Sequence, residues 1–118
     1  YPDTLTSRHN LANIYRSVGR LDEAITLYEN LLPNYIRVLG ADHPDTLTSR
    51  CNLAYAYESA GRLTEAITLY EQVLPDSIRI LGEDHPLTKT VRKNLEAARR
   101  ELAQHKGESS TEESAAQD

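Results

Sequence analysis

A period of 42 residues governs this chain. Pro2, Pro44 and Pro86 are 42 apart, as are Asn10, Asn52 and Asn94, and Leu11, Leu53 and Leu95. Residues 2–43 and 44–85 agree at 30 of 42 positions, whereas residues 86–106 match 44–64 at only seven of 21. A fixed spacing of this size is the mark of a stacked array, in which each unit buries its apolar face only against its neighbours. The organisation expected is therefore a first repeat over 1–43, a second over 44–85, and a diverged half repeat over 86–106.

Each unit reads as two helices. In the second unit Pro44 suits a first helical position, with Asp42 or His43 as the cap. Leu47, Cys51, Ala54 and Tyr57 then recur at helical spacing up to about Ala60, and Gly61 permits the left-handed reversal that ends a helix. Thr64, which replaces Asp22 of the first unit, is the expected N-cap of the second helix. Leu63, Ala66, Ile67, Tyr70, Leu74, Ile78 and Leu81 carry the stripe to Gly82. No segment alternates as a strand does, so the class is all-α. Pro33 and Pro75 fall inside the second helices at a cost of about 3 kcal/mol each. The stripe keeps its phase across Pro75, which predicts a kinked helix, with a break and restart at Pro75-Asp76 as the alternative.

Composition narrows the function. The 118 residues carry 13 Lys plus Arg against 18 Asp plus Glu, but residues 107–118 hold four acids and no base. The remainder is nearly neutral, without the basic stripe of a nucleic-acid binder. The tail is too polar to bury a core and is expected to be disordered. A single cysteine, Cys51, excludes an internal disulfide and suits a reducing, cytoplasmic setting. No apolar run approaches the roughly 20 residues of a membrane span, and no signal-peptide pattern opens the chain. Met is absent, so a piece of a longer chain is expected.

The motif NLAxxYxxxGRLxEAxxLYExxL appears twice. It comprises Asn10-Leu11-Ala12, Tyr15, Gly19, Glu23-Ala24, Leu27-Tyr28 and Leu32, then Asn52-Leu53-Ala54, Tyr57, Gly61, Glu65-Ala66, Leu69-Tyr70 and Leu74. With the linker from Leu39-Gly40 to His43-Pro44 and from Leu81-Gly82 to His85-Pro86, residues 1–106 resemble the tetratricopeptide repeat (TPR) family. The likeness is to its long form, found in kinesin light chains and bacterial signalling proteins. The chain departs from that pattern at Arg8 and Arg50, where a large aromatic is frequent, and at Arg99 and Ala103, where Tyr and Gly are expected. The resemblance implies a right-handed α-solenoid: two helix hairpins and a C-terminal capping helix over 86–106. Ala24 and Ala66 would sit where helices cross closely, while Tyr28 and Tyr70 fill the wedge between units.

No metal, phosphate-loop or acyl-transfer motif occurs, so no enzyme activity and no cofactor are expected. His43 and His85 recur with the turn and read as capping groups. The informative positions are the twelve at which the two units differ, five of them on the first helix: His9/Cys51, Asn13/Tyr55, Ile14/Ala56, Arg16/Glu58 and Val18/Ala60. The resemblance implies that first helices line a concave, partner-binding surface. That surface would carry His9, Asn10, Asn13, Arg16 and Ser17, then Cys51, Asn52, Tyr55, Glu58 and Ser59, and finally Lys93, Asn94, Ala97 and Arg100. Two readings of Asn10, Asn52 and Asn94 stand side by side. They read the main chain of an extended partner peptide, or each stabilises its own repeat. Tyr55, without an aromatic counterpart, is the expected anchor. The final helix carries a local excess of base, read as a soluble cap or as a dock for an acidic segment. The expected function is an adaptor or scaffold that binds a protein or peptide. Self-association through Leu5, Ile14 and Val18 is one alternative, and intramolecular regulation within a longer chain is another.

Overall fold

Pro44 opens α3 (Pro44–Ser59) because its fixed φ suits the first turn and its missing N–H would have no partner there. His43 precedes it in extended conformation, and its Nδ1 accepts the Asp45 N–H at 3.0 Å. His85 repeats the device ahead of α5 (Pro86–Gln117), accepting the Leu87 N–H at 3.1 Å. Between the two capping candidates, Asp42 and His43, the histidine makes the bond. The remaining helices of this computed structural model are α1 (Asp3–Ser17), α2 (Leu21–Leu39) and α4 (Leu63–Leu81). Backbone is described for residues 3–117 and side chains for residues 5–105, and no strand occurs among them.

The second helices start earlier than the cap residues suggest. Arg20 and Arg62 occupy the N-cap positions without a side-chain cap bond, which places Asp22 and Thr64 inside the first turn. Leu63 is drawn into the core, pulling the helix start back. Arg62 then spans the turn to Glu65 at 2.9 and 2.5 Å, and Arg20 does the same to Glu23. The helix ahead closes by reversal: Gly61 takes φ 79°, and the Arg62 N–H reaches back to Tyr57 C=O at 2.9 Å.

Pro33 and Pro75 lie inside unbroken helices, so the break-and-restart alternative fails. Each proline removes the donor for the carbonyl four residues earlier, on Glu29 and Glu71. Both residues are exposed, so water can satisfy those carbonyls and the helix survives.

The helices pack in chain order, each against the next, and α3 also meets α5. Ala24 and Ala66 are fully buried where helices approach, and Tyr28 and Tyr70 are fully buried between units. Leu53, Ala54, Ala56, Val73, Val91, Leu95 and Ala98 continue one core along the array. A second cluster joins Leu5, Leu31 and Tyr35. Leu5 is therefore interior, not part of an exposed pairing face. Val91, Leu95 and Ala98 of α5 cover the last hairpin, while Lys89, Lys93, Arg99 and Arg100 are exposed. The helical backbone runs past the expected boundary at 106 as far as Gln117. The side chains of that acidic segment lie outside the described residues.

Candidate functional site

The first helices, α1, α3 and α5, share one side of the array. α3 meets α5 directly, and α1 is tied to α3 by side chains, whereas α2 and α4 share no comparable contact. Several of the differences between the repeats meet here, because changes at one position are answered in space by changes at another.

The buried tyrosine hydroxyl shows how. Tyr28 donates to Asn13 Oδ1 in the first unit. In the second unit position 55 is a tyrosine and offers no amide, so Tyr70 donates to Glu58 one turn further on, at 3.0 Å, with Asn94 of α5 also in contact. Burial drives the Tyr70 phenol far above its ordinary range, with Glu58 adding to the effect. Burial likewise raises the Glu58 carboxyl, and the Tyr70 hydroxyl opposes that shift. The displaced Tyr55 ring turns outward, 42% exposed, and the Arg16 guanidinium lies over it at 4.9 Å. Arg16, Ser17, Tyr55 and Ser59 frame an open recess of about 320 Å³.

His9 forms the other link. Its Nε2 faces Asn52 Nδ2 at 2.8 Å, so the amide donates and the ring accepts, which leaves the proton on a buried Nδ1 without a protein partner. The ring packs edge-on to Tyr28 at 5.8 Å and to Tyr35 at 5.9 Å. Burial and Arg16 lower its pKa below the usual histidine value, against a smaller opposing pull from Asp45. A smaller hollow of about 160 Å³ beside it is lined by Thr6, His9, Tyr35, Asp45 and Thr48. Tyr35 belongs with His9 in the sequence too: both are positions where the units differ, with Ser77 and Cys51 as counterparts. That pairing was visible as two differences but not as a contact.

Of the expected partner-facing residues, Asn10, Tyr55, Lys93 and Arg100 are exposed. His9, Asn13, Arg16, Asn52, Glu58, Asn94 and Ala97 are half-buried. Cys51 is buried, and desolvation pushes its thiol up to about 11, so it stays protonated at neutral pH and lies out of a partner's reach. Asn52 and Asn94 both hold contacts inside the array, while Asn10 is exposed. No cluster of metal-ligating side chains occurs among the described residues.

The sequence profile described as tetratricopeptide repeat matches residues 3–76. The chain belongs to the tetratricopeptide repeat family. TPR units generally mediate contacts between proteins and are typically non-catalytic. Among solved structures, this TPR chain is similar to a kinesin-light-chain protein of Podosopora anserina with nearly identical TPR-like repeats. The two share 33% identity at a TM-score of 0.78, over 88% of this chain and 49% of that one. BtubC (BKLC) from P. vanneervenii shares the fold, with 23% identity and a TM-score of 0.75 over 83% of this chain and 39% of its own. The chain thus spans half or less of the structures it matches. No curated protein matches it. No described helix is long and apolar enough to cross a membrane.

Proposed function

We propose that this TPR segment is a non-catalytic adaptor or scaffold, cytoplasmic in setting, which holds a protein or peptide on the face formed by α1, α3 and α5. One observation carries the reading. Tyr55 is a large amphipathic ring left outward on an otherwise half-buried polar surface, held in one orientation by Arg16 of the neighbouring unit. A rigid exposed tyrosine beside a recess meets the requirements of an interface anchor: large contact area and little rotamer freedom left to lose on binding. Asn10, Lys93 and Arg100 provide exposed polar contacts around it. Asn52 and Asn94 act mainly by fixing the array, because their amides already serve His9 and Tyr70. The buried thiol of Cys51 and the unclustered histidines leave no activated nucleophile on this face.

Comparative capture tests the reading, with the 118-residue chain and its Tyr55→Ala variant exposed to extract of the source cell. Tyr55→Ala should lose the captured partner, at a cost of about 1–3 kcal/mol in binding, while the helical melting curve stays within about 2 °C of the parent, as expected for a surface change. Equal capture by both chains would refute the anchor role.

A further inference from the structure

The two seams on the side shared by the first helices are built from corresponding pairs of residues, and the pairs differ. Between α1 and α3, His9 lies against Asn52 and Arg16 over Tyr55. The positions 42 later put Cys51 with Asn94, and Glu58 with Ala97, between α3 and α5. Cysteine and alanine are small, and α3 packs directly on α5. His9 and Tyr55 are large, and α1 reaches α3 through side chains. Thr6, Asp45 and Thr48, which line the smaller hollow, precede the His9–Asn52 bond along α1 and α3. Arg16, Ser17, Tyr55 and Ser59, which frame the larger one, follow it. The bond thus crosses a seam with open space on both sides.

That bond holds in one protonation state. The neutral ring accepts from Asn52 Nδ2 at 2.8 Å and keeps its proton on Nδ1, buried without a protein partner. A second proton would set an N–H against the amide N–H, donor facing donor. Turning the amide over would restore a bond but leave an imidazolium in the seam, where its surroundings oppose it. Arg16, two turns along the same face of α1, repels that charge, and burial disfavours it further. Asp45 of α3 attracts it more weakly. Tyr28 and Tyr35 of α2, edge-on to the ring, are neutral phenols that burial holds above the usual tyrosine range.

We propose that the His9–Asn52 bond is a pH-sensitive latch on the first seam. Closed with the neutral ring, it fixes the spacing of α1 and α3, and with it the setting of Arg16 on Tyr55. Opened by protonation, it lets the first hairpin swing on the α2–α3 packing that remains. The second seam carries no histidine and does not open with the first. With Tyr55 as the partner anchor, the reading on which this consequence rests, capture of the partner weakens as pH falls.

Nuclear magnetic resonance of the 118-residue chain from pH 7.5 to pH 5 tests the latch without any partner. The Asn52 amide signal should move with the His9 ring, and the cross-peak between Arg16 and the Tyr55 ring should be lost over the same interval. Far-UV circular dichroism should stay unchanged. His9→Gln should keep the cross-peak throughout. Asn52→Asp, which sets a carboxylate opposite the ring, should raise the His9 midpoint and keep the cross-peak at pH 5. A cross-peak that survives protonation of His9 in the parent chain overturns the latch, and so does one lost equally in His9→Gln. Helical signal lost together with the cross-peak overturns it as well, since the change is then unfolding. Any of these results leaves the anchor role of Tyr55 standing, just as equal capture by Tyr55→Ala leaves the latch standing.

Discussion

His9 occupies a position where protonation and structure compete. Its ring accepts from Asn52 while burial and Arg16 disfavour the charged form, and Asp45 opposes them only in part. The folded pKa lies below the unfolded value of about 6.5, so the unfolded chain binds the proton more readily. The stabilising contribution is complete above the unfolded value and is lost as pH falls through the lower folded one. Urea midpoints should therefore drop between pH 7.5 and 5, and His9→Gln, which keeps an acceptor for Asn52 but does not titrate, should flatten that slope. Ser49 is a second residue-scale case. Its hydroxyl is buried without a protein partner, so Ser49→Ala should raise stability by about 1 kcal/mol in denaturant titration. Cys51 makes the third: its buried, protonated thiol should resist a disulfide reagent in the native chain at pH 8 and react within seconds in 8 M urea, by absorbance.

The helices depend on backbone devices more than on propensity. Gly40 ends α2 at φ 96° and ψ 154°, a region that a side chain occupies only under strain, although there is open space around it. Gly40→Ala should thus cost about 1–3 kcal/mol through the backbone alone, read as a lower urea midpoint with unchanged slope. Pro75 argues the other way. It sits exposed in a continuous helix whose Glu71 carbonyl lacks its donor. Pro75→Ala should restore that bond and stabilise by about 2 kcal/mol after the larger unfolded-state entropy of alanine is counted. A loss of stability would show that the proline sets the curvature the neighbouring helices require. The prolines and glycines were plain in the residue order, as was the helix-hairpin period. The true helix starts were not: Thr64 looks like a cap, but burial of Leu63 outweighs a cap bond and shifts the first turn.

Across the molecule, each hairpin relies on the next element to cover it. α5 closes the array by burying Val91, Leu95 and Ala98 against α4, while its cations face outward. A chain ending at residue 85 should lose its cooperative thermal transition, because Tyr70 and Val73 would then face water. At the same scale the candidate surface was only half legible. Tyr55 was singled out by its lack of an aromatic counterpart, and it is exposed; Cys51, chosen by the same comparison, is buried, and Asn52, chosen from the recurring asparagines, is engaged with His9. A difference between repeats reports that an environment changed. It does not report whether that environment faces solvent or the next helix.

The residue order alone determined the repeat length, the helical class, the family and the tyrosines and alanines of the core, since each follows from spacing along one chain. Only the tertiary structure decided which polar groups are engaged: His9 with Asn52, Tyr57 with Glu29, and Arg99 with Glu71. Those contacts join residues 28 to 43 positions apart, and the helical period constrains directions around one axis but not the distance and tilt between two.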